Sequence, residues 1–269
     1  MINSISQFAA TIAMSLGIEK PYEADGPIMQ VANLIKANAI EKVDKVLIYN
    51  PDALGMWLYQ KYADDFSPIL QRTQLAVPVR TAFPPCTPVC FASMYTGAPP
   101  SIHGIQTYEK PVVRTDSLFD ALIRAGKKAA LVSTQEASLG AIFADRAFDQ
   151  FVVPYDREAI DLTMKLIREG CHDVIVCYNQ EYDDAIHETG CESPRSIQAM
   201  RNHIAGFAKL ADAAKLHWRH HDTLICCATD HGIHDETDGT GTHGSDCDED
   251  MNIVHFFGIC RCSSVKPHC

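Results

Sequence analysis

Short apolar runs separated by longer amphipathic stretches recur along this chain, and that rhythm constrains the fold more than any single residue does. The runs Lys45–Tyr49, Ala129–Ser133, Asp173–Tyr178, Thr223–Cys227 and Ile253–Gly258 are rich in Val, Ile, Leu and Cys and too short for helices. Helical patterns lie at 26–39, 54–62, 116–125, 157–169 and 194–217, and another begins just after Thr87. Strands that are apolar throughout are buried on both faces, and intervening helices supply the cover. The expected fold is therefore a three-layer α/β/α sandwich around a mostly parallel sheet. No internal repeat, low-complexity tract or linker interrupts the pattern, so residues 1–269 are expected to form one domain. The first 25 residues and the proline-rich stretch 78–88 carry the weakest signals.

The bulk properties narrow the function classes. A formal net charge of -11 argues against nucleic-acid polymers or an acidic membrane surface as partners. Part of the excess is local: seven acids fall between Asp235 and Asp250, a composition that suits a solvated loop. The eleven cysteines are odd in number, Cys226 and Cys227 sit inside an apolar run, and no Cys-x-x-Cys spacing occurs, so a disulfide framework is not expected. Ala9–Met14 reads as a short helical patch rather than a signal sequence, and no apolar stretch is long enough to span a bilayer. A reducing cytoplasm is the expected location.

Polar residues fall at telling places on this map. Asp52 follows the first strand, Asp183 follows the third by a few residues, and Asp230 follows the fourth. Open parallel sheets bind ligands outside the carboxyl ends of their strands, so three such acids are expected to converge on one edge. Asp230 is followed at once by His231 and Gly232, while Asp183 and His187 are four residues apart. Oxygen and nitrogen donors of this kind suit zinc, with manganese and iron as the other candidates. Thr87 reads as a helix N-cap, with Pro88 in the first turn and Gly97 as a stop. A hydroxyl there meets the positive end of the helix dipole, which favours an alkoxide or a bound phosphoryl oxygen.

The stretch from Thr87 through Thr96-Gly-Ala-Pro-Pro-Ser-Ile-His-Gly-Ile105 resembles the nucleophile segment of the alkaline phosphatase superfamily. The nearest branch is the type I phosphodiesterase/nucleotide pyrophosphatase group, and Gly-Ala-Pro-Pro-Ser is similar to phosphonoacetate hydrolases. Asp52, Asp183-x-x-x-His187, Asp230-His231-Gly232 and His243-Gly244 follow in the family's order, across roughly residues 43–258. The resemblance implies an alkaline phosphatase-like fold and two divalent metal ions. Asp52, Asp230 and His231 would hold one metal, and Asp183, His187 and His243 the other. Thr87 would lie between them as the nucleophile on phosphorus, forming a phospho-enzyme intermediate. His103 matches a turn position and is expected to be structural.

The implied activity is hydrolysis of a small anionic phosphate ester or phosphonate. A phosphomutase or phosphotransferase on the same scaffold, and a metal-binding protein without catalysis, are the alternatives. Several residues depart from or extend the pattern. Cys90 stands where the phosphodiesterase branch has an asparagine that holds a phosphoryl oxygen, and the chain is shorter than typical members. Cys86-Thr-Pro-Val-Cys90 resembles the sulfatase Cys-x-Pro-x-Arg motif, but its arginine is replaced by Cys90. The residue that sulfatases modify would also align with Thr87 rather than Cys86, so that reading is set aside. Lys110 and Arg114 are candidates for an anionic substrate group, though surface charge is the simpler reading. His234 and Asp235 are candidates to orient the ligands.

Overall fold

Buried side chains alternate between the two faces of each central strand. The computed structural model describes residues 2–263, with strands β1 (Asn3–Ser4), β2 (Lys45–Pro51), β3 (Leu75–Arg80), β4 (Ala129–Thr134), β5 (Asp149–Val153), β6 (Val174–Asn179), β7 (Thr223–Ala228), β8 (His234–Asp235), β9 (Gly241–Thr242) and β10 (Asn252–Cys260). On β2, Val46 and Ile48 pack into one core while Leu47 and Tyr49 pack into the other. β6 and β7 repeat the division, with Val174 and Val176 opposite Ile175 and Cys177, and Leu224 and Cys226 opposite Ile225 and Cys227. A period of two along strands buried on both faces requires helices on both sides.

Eight strands form one sheet in the order β1-β3-β10-β7-β2-β6-β4-β5, and β8 pairs with β9 in a small separate ribbon. Every neighbouring pair in the large sheet is parallel except the two made by β10, which runs against β3 and β7. The carboxyl ends of the parallel strands and the start of β10 therefore share one edge. One helical layer includes Gln7–Leu16 and Thr87–Thr96, and the other includes Asp156–Glu169 and Pro194–His217. This is the expected three-layer α/β/α arrangement. The five expected strands are all present, each within two residues of its anticipated bounds.

The two weak regions are ordered. Residues 3–16 supply β1 and the Gln7–Leu16 helix, and Leu75–Arg80 forms β3, in which only Val77 and Val79 are fully buried. Pro78 interrupts the pattern of that strand, and Pro is a poor strand residue because it cannot donate to the ladder. β5 lies at the opposite end of the sheet, where a half-exposed sequence gives little signal. Among the described residues no helix is long and apolar enough to cross a membrane. The ten described cysteines are all free thiols.

One buried imidazole joins the sheet to the helix that carries Asp183. His203, on the Pro194–His217 helix, accepts at Nε2 from the Tyr182 N–H (3.1 Å), which leaves Nδ1 to donate to the Tyr49 hydroxyl (3.0 Å). Burial pushes this imidazole down to about 4. The unfolded chain takes up a proton near the ordinary histidine value, so the neutral native form contributes stability above pH 6.5 that is lost as pH falls toward 4. In denaturant titrations across that window, His203→Gln should flatten the pH dependence of stability by about 1.4 kcal/mol per pH unit, one proton's worth. An unchanged slope would remove His203 from the acid-sensitive groups.

Candidate metal centre

Three adjacent strands, β6, β2 and β7, deliver three aspartates to the shared edge. Asp52 leaves β2 with its N–H donating to the Asn179 carbonyl (2.9 Å) at the end of β6. Asp230 leaves β7, and its Oδ1 accepts from the Ala53 N–H (3.3 Å). Asp183 lies in the helix Glu181–Thr189 that follows β6. The start of that helix is held by Asp156, whose carboxylate accepts from the Gln180 and Glu181 N–H groups at 3.0 and 2.9 Å. The i, i+4 spacing then puts His187 beside Asp183, Nε2 to Oδ2 at 3.5 Å.

The three imidazoles here share one orientation. His231 Nδ1 lies 3.0 Å from the Gly232 carbonyl, His187 Nδ1 3.0 Å from the Gly241 carbonyl, and His243 Nδ1 2.9 Å from the Pro85 carbonyl. A carbonyl can only accept, so each Nδ1 carries the proton in the neutral ring and each Nε2 presents a lone pair. Those lone pairs converge on carboxylate oxygens. His231 Nε2 lies 3.4 Å from both Asp52 Oδ1 and Asp230 Oδ2, and His243 Nε2 lies 3.6 Å from Asp183 Oδ1. Asp52 Oδ1, Asp230 Oδ2 and Asp183 Oδ1 are buried and have no hydrogen-bond partner. Lone pair facing lone pair, with orphaned carboxylate oxygens between, is the donor set a divalent cation completes.

Two groups have potential ligand atoms within 4.8 Å of one another: Asp52, Asp230 and His231, and Asp183, His231 and His243. His231 belongs to both. His187 stands at the margin of the second group, with its ring 5.2 Å from that of His243. Among the described residues no lysine or arginine pairs with any of the three aspartates; their ionic neighbours are the histidines. Burial raises Asp52 well above the usual carboxylate range, and the neighbouring Asp230 and Asp183 raise it further. Burial also raises Asp230. Asp183 is different: burial pushes it up, but its setting among the His187, His243 and His231 imidazoles outweighs that and holds it low. Burial pushes His243 down to about 3, which keeps its imidazole unprotonated.

Thr87 meets this cluster in a position the sequence only partly anticipates. The N-cap of the helix is Cys86, in extended backbone, and Thr87 is the first helical residue. Its hydroxyl is therefore free of a capping role and lies 3.3 Å from His231 Nε2. Asp52, Thr87 and Asp183 border a cleft of about 170 Å³ whose other walls include Tyr108, Lys110, Gln135, Ser138 and Gln180. Lys110 and Arg114 part company here. Lys110 lines the cleft, with Nζ donating to the Glu136 carbonyl (2.7 Å), whereas Arg114 pairs with Asp145 on the surface.

Other residues singled out in the sequence serve elsewhere. His103 clips the turn after the Thr87–Thr96 helix, its Nε2 2.9 Å from Ser93 Oγ and its Nδ1 accepting from the Ile105 N–H. Cys90 points its thiol toward the Ala82 and Pro84 carbonyls and does not line the cleft. His234 and Asp235 touch none of the clustered side chains: His234 Nδ1 binds Asp250 Oδ1 at 2.8 Å, and Asp235 accepts from the Cys191 N–H at 2.7 Å. Tyr178, to which no role was assigned from the sequence, donates its hydroxyl to Asp52 Oδ2. A polar tip at the end of an otherwise apolar strand is the signal that could have found it.

No protein-family model matches the chain, and no curated protein matches it in sequence. In three dimensions it is similar to phosphonoacetate hydrolase from Sinorhizobium meliloti 1021 in complex with phosphonoformate, with a TM-score of 0.55 and 16% identity, covering 73% of this chain and 58% of that one. Murine ectonucleotide pyrophosphatase/phosphodiesterase 5, as an inactive threonine-to-alanine variant in complex with AMP, gives a TM-score of 0.55 at 18% identity, covering 72% of this chain and 59% of that one. A TAB5 alkaline phosphatase mutant with magnesium bound gives 0.53 at 10% identity, covering 81% of this chain and 91% of that one. The chain thus spans about three fifths of the length of the first two. The shared architecture is the alkaline phosphatase-like fold.

Gly232, next to His231, is required by close approach. A Cβ there would lie 2.0 Å from the Glu249 carbonyl oxygen, and the Gly232 N–H donates to the Asp250 carbonyl (2.8 Å). Backbone cannot yield as a side chain can, so Gly232→Ala should cost about 1–3 kcal/mol of stability, as overpacking does. A urea midpoint equal to that of the unaltered protein would show that the two segments separate freely.

Proposed function

We propose that this chain is a two-metal-dependent hydrolase of small phosphate esters or phosphonates, with Thr87 as its nucleophile. The observation that carries the reading is the pair of imidazole Nε2 lone pairs, of His231 and His243, aimed at three orphaned, buried carboxylate oxygens beside a threonine hydroxyl. Asp52, Asp230 and His231 would hold one ion, and Asp183, His187 and His243 the other. Zinc suits this mixture of carboxylate and imidazole donors. When bound, two such ions supply activation of a hydroxyl and charge stabilisation at the leaving oxygen.

The chain's own residues do the rest. Thr87 Oγ1 attacks phosphorus, forming a phosphothreonine ester as the bond to the leaving group breaks. Water then cleaves that ester, releasing phosphate and restoring the hydroxyl. The positive end of the Thr87–Thr96 helix favours the developing charge on the phosphoryl oxygens. Tyr178 holds one oxygen of Asp52, leaving the other for the metal. The cleft of about 170 Å³ is smaller than the ~300 Å³ at which drug-sized ligand sites begin, which favours a compact substrate over a nucleotide. Lys110 at its wall suits a substrate with a second anionic group. The inactive murine threonine variant and the phosphonoformate complex are consistent with a threonine nucleophile and a small phosphonate respectively.

Zinc-reconstituted protein, assayed on nitrophenyl phosphate monoester, phosphodiester and phosphonate with and without an added alcohol acceptor, tests the reading. Hydrolysis should be lost on chelation and restored by zinc. Thr87→Ala should lower turnover by about three orders of magnitude or more with bound metal unchanged. Full activity in that variant would end the nucleophile assignment, and transfer to the alcohol in preference to water would make the enzyme a phosphotransferase. Tyr178→Phe should weaken metal affinity by about 10–100-fold, the usual effect of losing a group that orients a ligand. Equilibrium competition against a zinc chelator reads that directly.

A further inference from the structure

The segment between Gly232 and β10 brings together a second kind of donor set, outside the centre described above. His234 Nδ1, Cys247 Sγ and one oxygen of Asp250 all lie within 4.8 Å of one another. His234 Nδ1 is 2.8 Å from Asp250 Oδ1 and 3.9 Å from Cys247 Sγ. An imidazole–carboxylate hydrogen bond alone accounts for the first distance but not for a thiol facing the same nitrogen. The carboxylate is fixed from behind: Asp250 Oδ2 accepts from the Ser245 N–H at 2.9 Å, and the Asp250 carbonyl accepts from the Gly232 N–H. Asp250 is fully buried, while His234 and Cys247 are half-buried and open to solvent on one side.

We infer that His234, Cys247 and Asp250 form a zinc site distinct from the paired centre, with the fourth position left to water. Tetrahedral bonds of about 2.0–2.3 Å from zinc place imidazole, carboxylate and thiolate donors roughly 3.3–3.5 Å apart, so binding replaces the His234–Asp250 hydrogen bond and asks each side chain to shift by only about half an ångström. Binding releases the Cys247 thiol proton to solvent. The imidazole proton moves from Nδ1 to Nε2, on the side where Glu236 Oε1 lies 4.0 Å away. Thiolate among the donors selects zinc over magnesium or calcium. The site's place in the chain gives it a purpose. It ties β8 to the Asp248–Met251 turn that opens β10, closing the segment that carries His243. An ion here therefore orders the loop that delivers His243, and does not take part in chemistry.

The two centres are separable by their donors. The paired centre offers only oxygen and nitrogen, so a sulfur signature that depends on Cys247 reports on this site and not on that centre. Metal-stripped full-length protein titrated with cobalt(II) should develop thiolate-to-cobalt charge-transfer absorption in the near ultraviolet. That band should vanish in Cys247→Ser and persist in Cys86→Ser and in Asp183→Asn. Zinc should slow iodoacetamide alkylation of Cys247, followed by peptide mass spectrometry on the unaltered chain, by at least about tenfold. Zinc content should fall by one ion per chain in Cys247→Ser. Absence of the band, or alkylation of Cys247 indifferent to zinc, would overturn the site even if the paired centre and its activity stand. Loss of activity with the band intact would instead count against the paired centre alone.

Discussion

Three carboxylates, each with a buried oxygen that has no hydrogen-bond partner, meet at one edge of the sheet, and among the described residues no lysine or arginine pairs with them. Removing a charge from water costs several kcal/mol even after relaxation, so such a cluster persists only with protons or cations to neutralise it. Each imidazole spends its Nδ1–H on a backbone carbonyl, so only Nε2 is turned toward the carboxylates. What is left is a field of lone pairs whose natural complement is metal. The surrounding fold supports that field: the Asp156 cap holds the helix that bears Asp183 and His187, and the His203 imidazole holds the same helix to the sheet.

How much of this was legible in the sequence depended on how local the signal was. The doubly buried strands announced themselves as unbroken apolar runs, and Asp52, Asp183 and Asp230 were readable because each sits just past one of them. β3 was not legible, because Pro78 and its exposed neighbours break the pattern and its place in the sheet comes from pairing with β10, more than 170 residues later. The N-terminal helix was seen only as a short apolar patch, since its burial depends on the Thr87–Thr96 helix beside it.

The site shows the same division. The sequence placed Thr87 at the start of a helix but as its cap, and the fold gives that place to Cys86, in extended backbone. Lys110 and Arg114 look alike as charges soon after the Thr87–Thr96 helix, and only the fold sends one to the cleft and the other to Asp145. His234 and Asp235 followed Asp230 and His231 closely in sequence, yet β8 turns both away, toward Asp250 and Cys191. Tyr178 needed a partner across two strands before its hydroxyl meant anything.

The reversed strand β10 has a consequence for how such a protein could change. Because β10 begins where β7 ends, the chain from Gly232 to Asp250 leaves the sheet and returns to the same point, where the Gly232 N–H meets the Asp250 carbonyl. Its two ends are fastened to each other, so its length is decoupled from the register of the strands it joins. Entropy of closure grows only slowly with the length of such an excursion. Evolution can thus lengthen or shorten this segment on either side of His243 while the sheet and its three aspartates keep their places.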